Sequence, residues 1–410
     1  MTKSIFSDFP PQEQLQLPAC IKCVMPQAVN GHFHTPFSFS AFTEIEQVFK
    51  MAKAEGISVL GINDFYTMDG YPEFTALAVQ YRIFPLYNIE FMALQKDLQA
   101  AGVRVNDPNN PGRTYFSGKG LKFPVALSAP MLTLLTQVQV ESNRQTATMI
   151  DKLNTWLSET GIDIEFSFDG IRKKYAKNMV RERHIAKALR QAITEQYPTE
   201  AAQQAAWTKI FGGKAPKSPL TEAAALENEI RGNLLKSGGK AFVPEDDKAF
   251  LSLEQVIALI IDAGGIPCYP VLLDNAKGEL TDYEADYESL YRNLTAKKVF
   301  SLELIPGRNK PEIMEAFVNF FHEKGFVITF GTEHNTPQLD PVTVFGGDSK
   351  PLSPAMKRIG YEGSCVIAAH EYLIAQDKEG YLTADGAAKT ADRNDFVRLG
   401  DAVIRTFVQR

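Results

Sequence analysis

The chain has 410 residues, 44% of them apolar and 22% charged, and a formal net charge of −6. These are the proportions of an ordinary globular protein, long enough for one large domain with insertions or for two or three domains. An acidic balance without a long basic run argues against a general nucleic-acid binder held by phosphate contacts, and no apolar run reaches the roughly 18 residues that would suggest a membrane span.

The opening segment, 1–27, is polar, carries Asp8 and Glu13, and lacks the apolar core of a secretory signal. Four cysteines give no disulfide framework in a chain this long. The expectation is a cytoplasmic protein. Cys20 and Cys23 form a CxxC without the second pair that a structural zinc site would want. Residues 28–34 read as a strand, 43–55 as an amphipathic helix, 58–62 as a strand, 71–81 as a helix and 83–91 as a third strand. Such alternation favours parallel strands joined by helical crossovers. A Gly-, Pro- and Asn-rich loop over 107–124 carries one short strand at 113–116. A long helical pattern covers 131–160, and a further helix covers 183–191. Polar, alanine-rich helices at 199–211 and 220–235 look like an insertion. The α/β rhythm resumes with a helix at 252–263 and strands at 265–270, 299–305 and 326–331, with a helix at 311–324 between the last two. Helical patterns at 353–375 and 391–408 end the chain. The expected organisation is a lead segment over 1–27, a barrel over 28–190 and 242–345, a helical insertion over 191–241 and a C-terminal helical extension over 346–410.

Two of only six histidines, His32 and His34, stand at i and i+2 on the first strand, where alternate side chains share a face. Imidazoles so spaced can converge on one metal ion. Polar residues recur at the ends of the later strands: Asn63 and Asp64, Asn88 and Glu90, Glu303, and Glu333 with His334. In a barrel of parallel strands that rim is where catalytic residues gather. His32, His34, Glu90 and Glu333 form a candidate N/O set suited to one divalent zinc, manganese or iron ion. Glu333 and His334 cannot both point inward unless the strand ends between them. Glu333 is therefore taken as ligand and His334 as a neighbour able to act on substrate. Arg181, Arg183 and His184 at a helix start suit a phosphate, and Lys119, flanked by Gly118 and Gly120, could reach an anionic substrate. His322 and His370 sit inside helical patterns and receive no function.

These motifs, taken in order, resemble the PHP (polymerase and histidinol phosphatase) superfamily. The run GHFHTPFS from Gly31 is similar to its HxHTxxSD motif, Gly61–Thr67 to a strand ending in TDHDT, and Asn88 to Glu90 to its strand-end glutamate. Arg183 to Leu189 resembles the RPHIARAL segment of the phosphoesterase branch, and Gly331 to Glu333 stands where GSD would be. The resemblance implies a distorted TIM-like (β/α)7 barrel, of α/β class, that hydrolyses phosphate esters with up to three metal ions. Carried over residue by residue, it makes His32 and His34 the paired histidines, Glu90 the bridging glutamate and Glu333 the counterpart of the final aspartate. Asp64 matches the first aspartate of TDHD, and His184 the histidine of RPHIA. Phe39, Phe65, Tyr66, Tyr269 and Asn335 replace metal-binding positions of the pattern. That leaves a single-metal site, with Asp64 as base and Tyr269 or Tyr66 facing the substrate or moving protons. The expected function is a metal-dependent phosphoesterase acting on a small phosphorylated molecule, with no nucleic-acid or membrane partner and oligomerisation open. The rivals are a catalytically inactive barrel that binds a ligand or protein, and an amidohydrolase-type hydrolase of C–N or C–O bonds.

Overall fold

Each apolar run of the sequence becomes a buried strand, and the connecting segments lay the next strand beside the last. The computed structural model describes residues 3–274, 278–383 and 385–410. It holds one seven-stranded sheet in simple chain order. The strands are β1 (Val29–Phe33), β2 (Val59–Phe65), β3 (Phe84–Leu94), β4 (Arg113–Lys119), β5 (Ile266–Val271), β6 (Ser301–Leu304) and β7 (Val327–Phe330). The sheet closes where the chain just past β7 meets β1. Phe33 and Glu333 form a parallel bridge. The His34 N–H donates to the Glu333 carbonyl at 2.9 Å, and the His32 carbonyl accepts from the N–H groups of Thr332 and Glu333 at 3.0 Å each. Gly331 makes this approach possible, because a Cβ there would lie 2.3 Å from that of His32.

A wholly parallel barrel is not what forms. β4 runs antiparallel to both β3 and β5, while the other neighbours pair in parallel. The connection from β3 to β4 contains only the helix Lys96–Ala100. Five residues of helix rise about 7.5 Å, too little to carry the chain back along a strand, so it returns antiparallel. The sheet is wrapped by helices such as Ile45–Ala54, whose Ile45, Val48, Phe49 and Ala52 are buried at helical spacing. The C-terminal helices Pro354–Ile374 and Arg393–Gln409 join the same core, as do Phe6 and Phe9, which pack edge-on against Tyr372. A second core gathers Leu153, Leu157, Leu189, Trp207 and Ile230 among residues from Met149 to Ala241. This helical layer therefore packs as a unit that reaches back into the long helix Ala129–Glu159. The pattern over 220–235 resolves into the helix Ala223–Ile230 followed by a π-helical turn, Arg231–Leu235. Among the described residues no helix is long and apolar enough to cross a membrane.

His370 fastens the C-terminal helices to the barrel. Its Nε2 donates to the Gly264 carbonyl at 2.7 Å, and its Nδ1 accepts the Tyr381 N–H at 3.0 Å. Acceptance at Nδ1 requires the neutral ring, and burial pushes its pKa down from 6.5 to about 4. A depressed base stabilises the fold above its unfolded pKa, and that contribution drains away as pH falls from 6.5 towards 4. His370→Gln cannot take up a proton. Urea unfolding at a series of pH values from 7 to 4.5 is expected to show a shallower loss of stability than the parent, by up to about 3 kcal/mol; equal slopes would contradict this account.

Candidate metal centre and anion-binding cavity

At the C-terminal ends of the strands lies a cavity of about 290 Å3. His32 and His34 reach its floor from β1 and the residue after it, and Glu90 from β3. One donor atom from each lies within 4.8 Å of the others. The two Nε2 atoms are 3.5 Å apart, and His34 Nε2 is 3.3 Å from the Glu90 carboxylate. Four ligands held tetrahedrally at about 2.0–2.1 Å lie about 3.3–3.4 Å from one another, so these spacings are those of a coordination edge.

Neighbouring groups fix which ring nitrogens carry protons. His32 Nδ1 faces the Glu303 carboxylate at 2.8 Å and donates to it. Ser38 donates its one hydroxyl proton to Asp64 at 2.6 Å, so at 3.4 Å it accepts from His34 Nδ1. Both Nε2 atoms are thus lone pairs turned toward each other and toward a carboxylate. Burial, with His32 and Arg183 nearby, holds His34 well below its ordinary pKa and therefore neutral. Burial, then Glu333 and Glu303, push Glu90 well above the carboxylate range. The Asn63 amide nitrogen is 3.1–3.2 Å from both nitrogens of His32 and does not choose between them. Two imidazole lone pairs and a carboxyl oxygen that gives up its proton to a bound ion fit a borderline divalent cation.

Another part of the lining, here called the wall, is cationic. Arg181, Arg183, Arg231 and Arg308 all line the cavity. Arg181 lies over the Phe65 ring at 5.1 Å, and Arg183 over Phe39 at 5.7 Å. Arg231, on the π-helical turn of the helical layer, pairs with Glu182 at 2.7 Å. Burial and the adjacent Arg231 lower Arg183 to about 10. Burial opposes the charge of Glu182, but Arg231, Arg181 and Arg183 outweigh it and bring the group down to about 2. Arg181 Nε and Arg183 Nη1 have no hydrogen-bond partner. Guanidinium donors left open in a cavity are an anion site waiting for its acceptor.

The remaining residues singled out in the sequence fall in different places. Glu333 lines the cavity, but Arg308 and Asn335 hold its carboxylate. The converging donor group among the described residues is His32, His34 and Glu90, not the expected four. His334 turns the other way. It stacks on Phe42 at 4.9 Å, accepts from Thr332 at Nδ1 and donates to the Asp340 carbonyl at 2.8 Å, so both nitrogens are committed outside the cavity. Asp64 is buried behind His34, accepting from the Thr35 N–H at 2.7 Å and from Ser38. Burial raises it to about 7 against those bonds. It braces a ligand and does not face the cavity as a base. Lys119 is completely buried in a pair with Glu303 and meets no cavity surface. Tyr269 donates to Glu284 at 2.8 Å, and Tyr66 to the Met92 carbonyl at 3.4 Å, both inside the core. His184 accepts the Arg181 N–H at 3.0 Å and caps its helix; burial lowers it to about 4. Arg308 escaped sequence reasoning although it follows β6 as the other rim residues follow their strands, and that position was the available signal.

Residues 30–209 match the PHP domain, and the chain carries a PHP domain over that span. His32, His34 and Glu90 lie inside it, while Glu303, Arg308 and Glu333 lie beyond it. No curated protein matches the sequence. Among solved structures, a proposed metal-dependent phosphoesterase from Bifidobacterium adolescentis is similar at 18% identity and a TM-score of 0.53, over 84% of this chain and 96% of that one. An amidohydrolase from Chromobacterium violaceum, with bound sulfate and no metal, aligns at 17% identity and a TM-score of 0.49, over 77% and 93% of the two chains.

If three side chains supply the donors, their substitutions separate from that of Glu333. His34→Ala and Glu90→Gln are expected to weaken Mn2+ binding more than about 100-fold, and Glu333→Gln by about tenfold or less. Isothermal titration of metal-stripped protein measures this, and equal losses for Glu90 and Glu333 would restore the four-ligand set.

Proposed function

We propose that this protein is a metal-dependent hydrolase that uses one divalent cation to cleave a small phosphate monoester. The observation that carries the reading is the meeting of two unlike sets of groups in the lining of one cavity. The floor presents His32 Nε2, His34 Nε2 and Glu90, and the wall presents Arg183 and Arg181 with open donors. A bound cation would polarise a phosphoryl oxygen as a Lewis acid. Arg183 and Arg308 would grip the other phosphoryl oxygens and orient the ester, and the aromatic bases beneath Arg181 and Arg183 keep that wall apolar behind its charge. Of the cavity carboxylates outside the donor set, Glu182 is paired with Arg231, and Glu303 with Lys119 and His32, which leaves Glu333. Held by Arg308 and Asn335, it is the group assigned to take a proton from the attacking water. The PHP domain and the fold shared with the Bifidobacterium protein support hydrolysis as the class of reaction.

A purely binding descendant is less well supported. Phe39 stacks on His34 at 4.7 Å and Phe65 underlies Arg181, so these rings line the cavity and leave it open.

Turnover of a panel of phosphomonoesters and diesters, with chelator and with added Mn2+, tests the proposal. Monoester hydrolysis is expected only with metal, and His34→Ala should abolish both metal binding and turnover. Glu333→Gln should keep the metal and lose about 100-fold or more in kcat, and Arg183→Gln should act mainly on KM. Metal-dependent turnover that survives His34→Ala would overturn the assignment.

A further inference from the structure

Behind the floor of the cavity lies a second cluster that the proposed reaction does not use. Lys119, at the end of β4, is 0% exposed. Its ammonium touches the Glu303 carboxylate and lies 3.3 Å from Asn63 Oδ1. Glu303, 2% exposed, also accepts from Ser117 and from His32 Nδ1. A lysine buried so completely is rare unless something demands its charge. Here the demand is local. Glu303 accepts the Nδ1 proton of His32 and so keeps the tautomer that frees Nε2, and its charge stands beside Glu90, a second buried carboxylate.

We infer that Lys119 is a built-in cation that occupies what would otherwise be a second metal position, between Glu303 and Asn63, and so fixes the metal complement of this site at one. The cluster has the chemistry of a cation site. It offers a carboxylate and an amide oxygen just behind the cavity floor, and the ammonium supplies the positive charge that balances the carboxylate. Lys119 reaches this place from the antiparallel strand, whose last residues β4 aligns with β5 at Ile266. In the relay Lys119–Glu303–His32 it is a positioning residue that acts on the cation held at His32 and touches no substrate.

The inference rests on the one-cation reading, and the test separates the two. Equilibrium dialysis against Mn2+ with elemental analysis counts ions per chain. The parent is expected to hold one, Lys119→Ala two, and Lys119→Ala/Glu303→Gln one again, because the carboxylate that the second ion needs is gone. Thermal unfolding of Lys119→Ala should show a second, separately saturating rise in Tm with Mn2+ that the parent lacks. If Lys119→Ala folds only when refolded in Mn2+, the count made on that material stands. An equal count in Lys119→Ala and the parent overturns the inference, as does a Lys119→Ala protein that will not fold even in Mn2+, or an extra ion retained by the double variant. A parent that binds no Mn2+ sinks the one-cation reading, while the difference between parent and Lys119→Ala still decides the role of the lysine.

Discussion

The candidate site depends on the seam where the barrel closes. The His32 carbonyl takes two hydrogen bonds from the chain beyond β7, and His34 returns one to Glu333. These bonds join the strand that carries both imidazoles to the segment that carries Glu333, across 300 residues of sequence. Two left-handed residues follow at once, Glu333 at φ 64° and His334 at φ 48°. Such conformations are costly for side-chain-bearing residues and persist only where the surroundings enforce them. Their effect is to send Glu333 into the cavity and His334 out of it.

What the sequence disclosed follows from which constraints are local. The pairing of His32 with His34 follows from strand spacing, and Glu90 was legible as a lone acid within a strong apolar run, although β3 continues past it to Leu94. The sheet order was legible for the same reason, since each strand and its helix form a local unit. The direction of β4 was hidden in a connection whose helix is too short to cross the sheet. Residue types misled where their partners are tertiary. His184 sits among arginines like a phosphate ligand, yet its ring is consumed in capping its own helix. Tyr269 stands at a position suited to proton transfer, yet Glu284 holds its hydroxyl in the core. Lys119, between two glycines, read as a mobile loop lysine and is instead a sealed strand-end cation. No spacing rule links Arg308 to Glu333 or Lys119 to Glu303; only the closed barrel brings them together.

The aromatic residues that replace polar ones in the PHP pattern have a role of their own. Phe39 lies against His34 on one side and beneath Arg183 on the other, and Phe65 supports Arg181. A ring face attracts a cation, and it also removes water from around it. An arginine so placed binds an anion in a less polarisable setting than one in water, where the attraction is screened most strongly. This side of the cavity therefore carries ordered positive charge backed by aromatic rings.

Charge accounting carries this argument to the substrate. On the floor, Glu90 and Glu303 face Lys119 and two imidazoles, His34 being held neutral by burial. With both carboxylates ionised, as a bound cation would require, one negative charge is left over there. On the wall, Arg181, Arg183, Arg231 and Arg308 face Glu182 and Glu333, which leaves two positive charges. A divalent cation on the floor makes the whole cavity strongly positive. A phosphomonoester dianion offsets more of that excess than a diester monoanion does, and its third terminal oxygen gives Arg183 an acceptor that a diester lacks. The same balance explains why a second metal ion would be poorly accommodated while Lys119 is in place. It would add charge where one carboxylate is already neutralised, next to a wall with no carboxylate to spare.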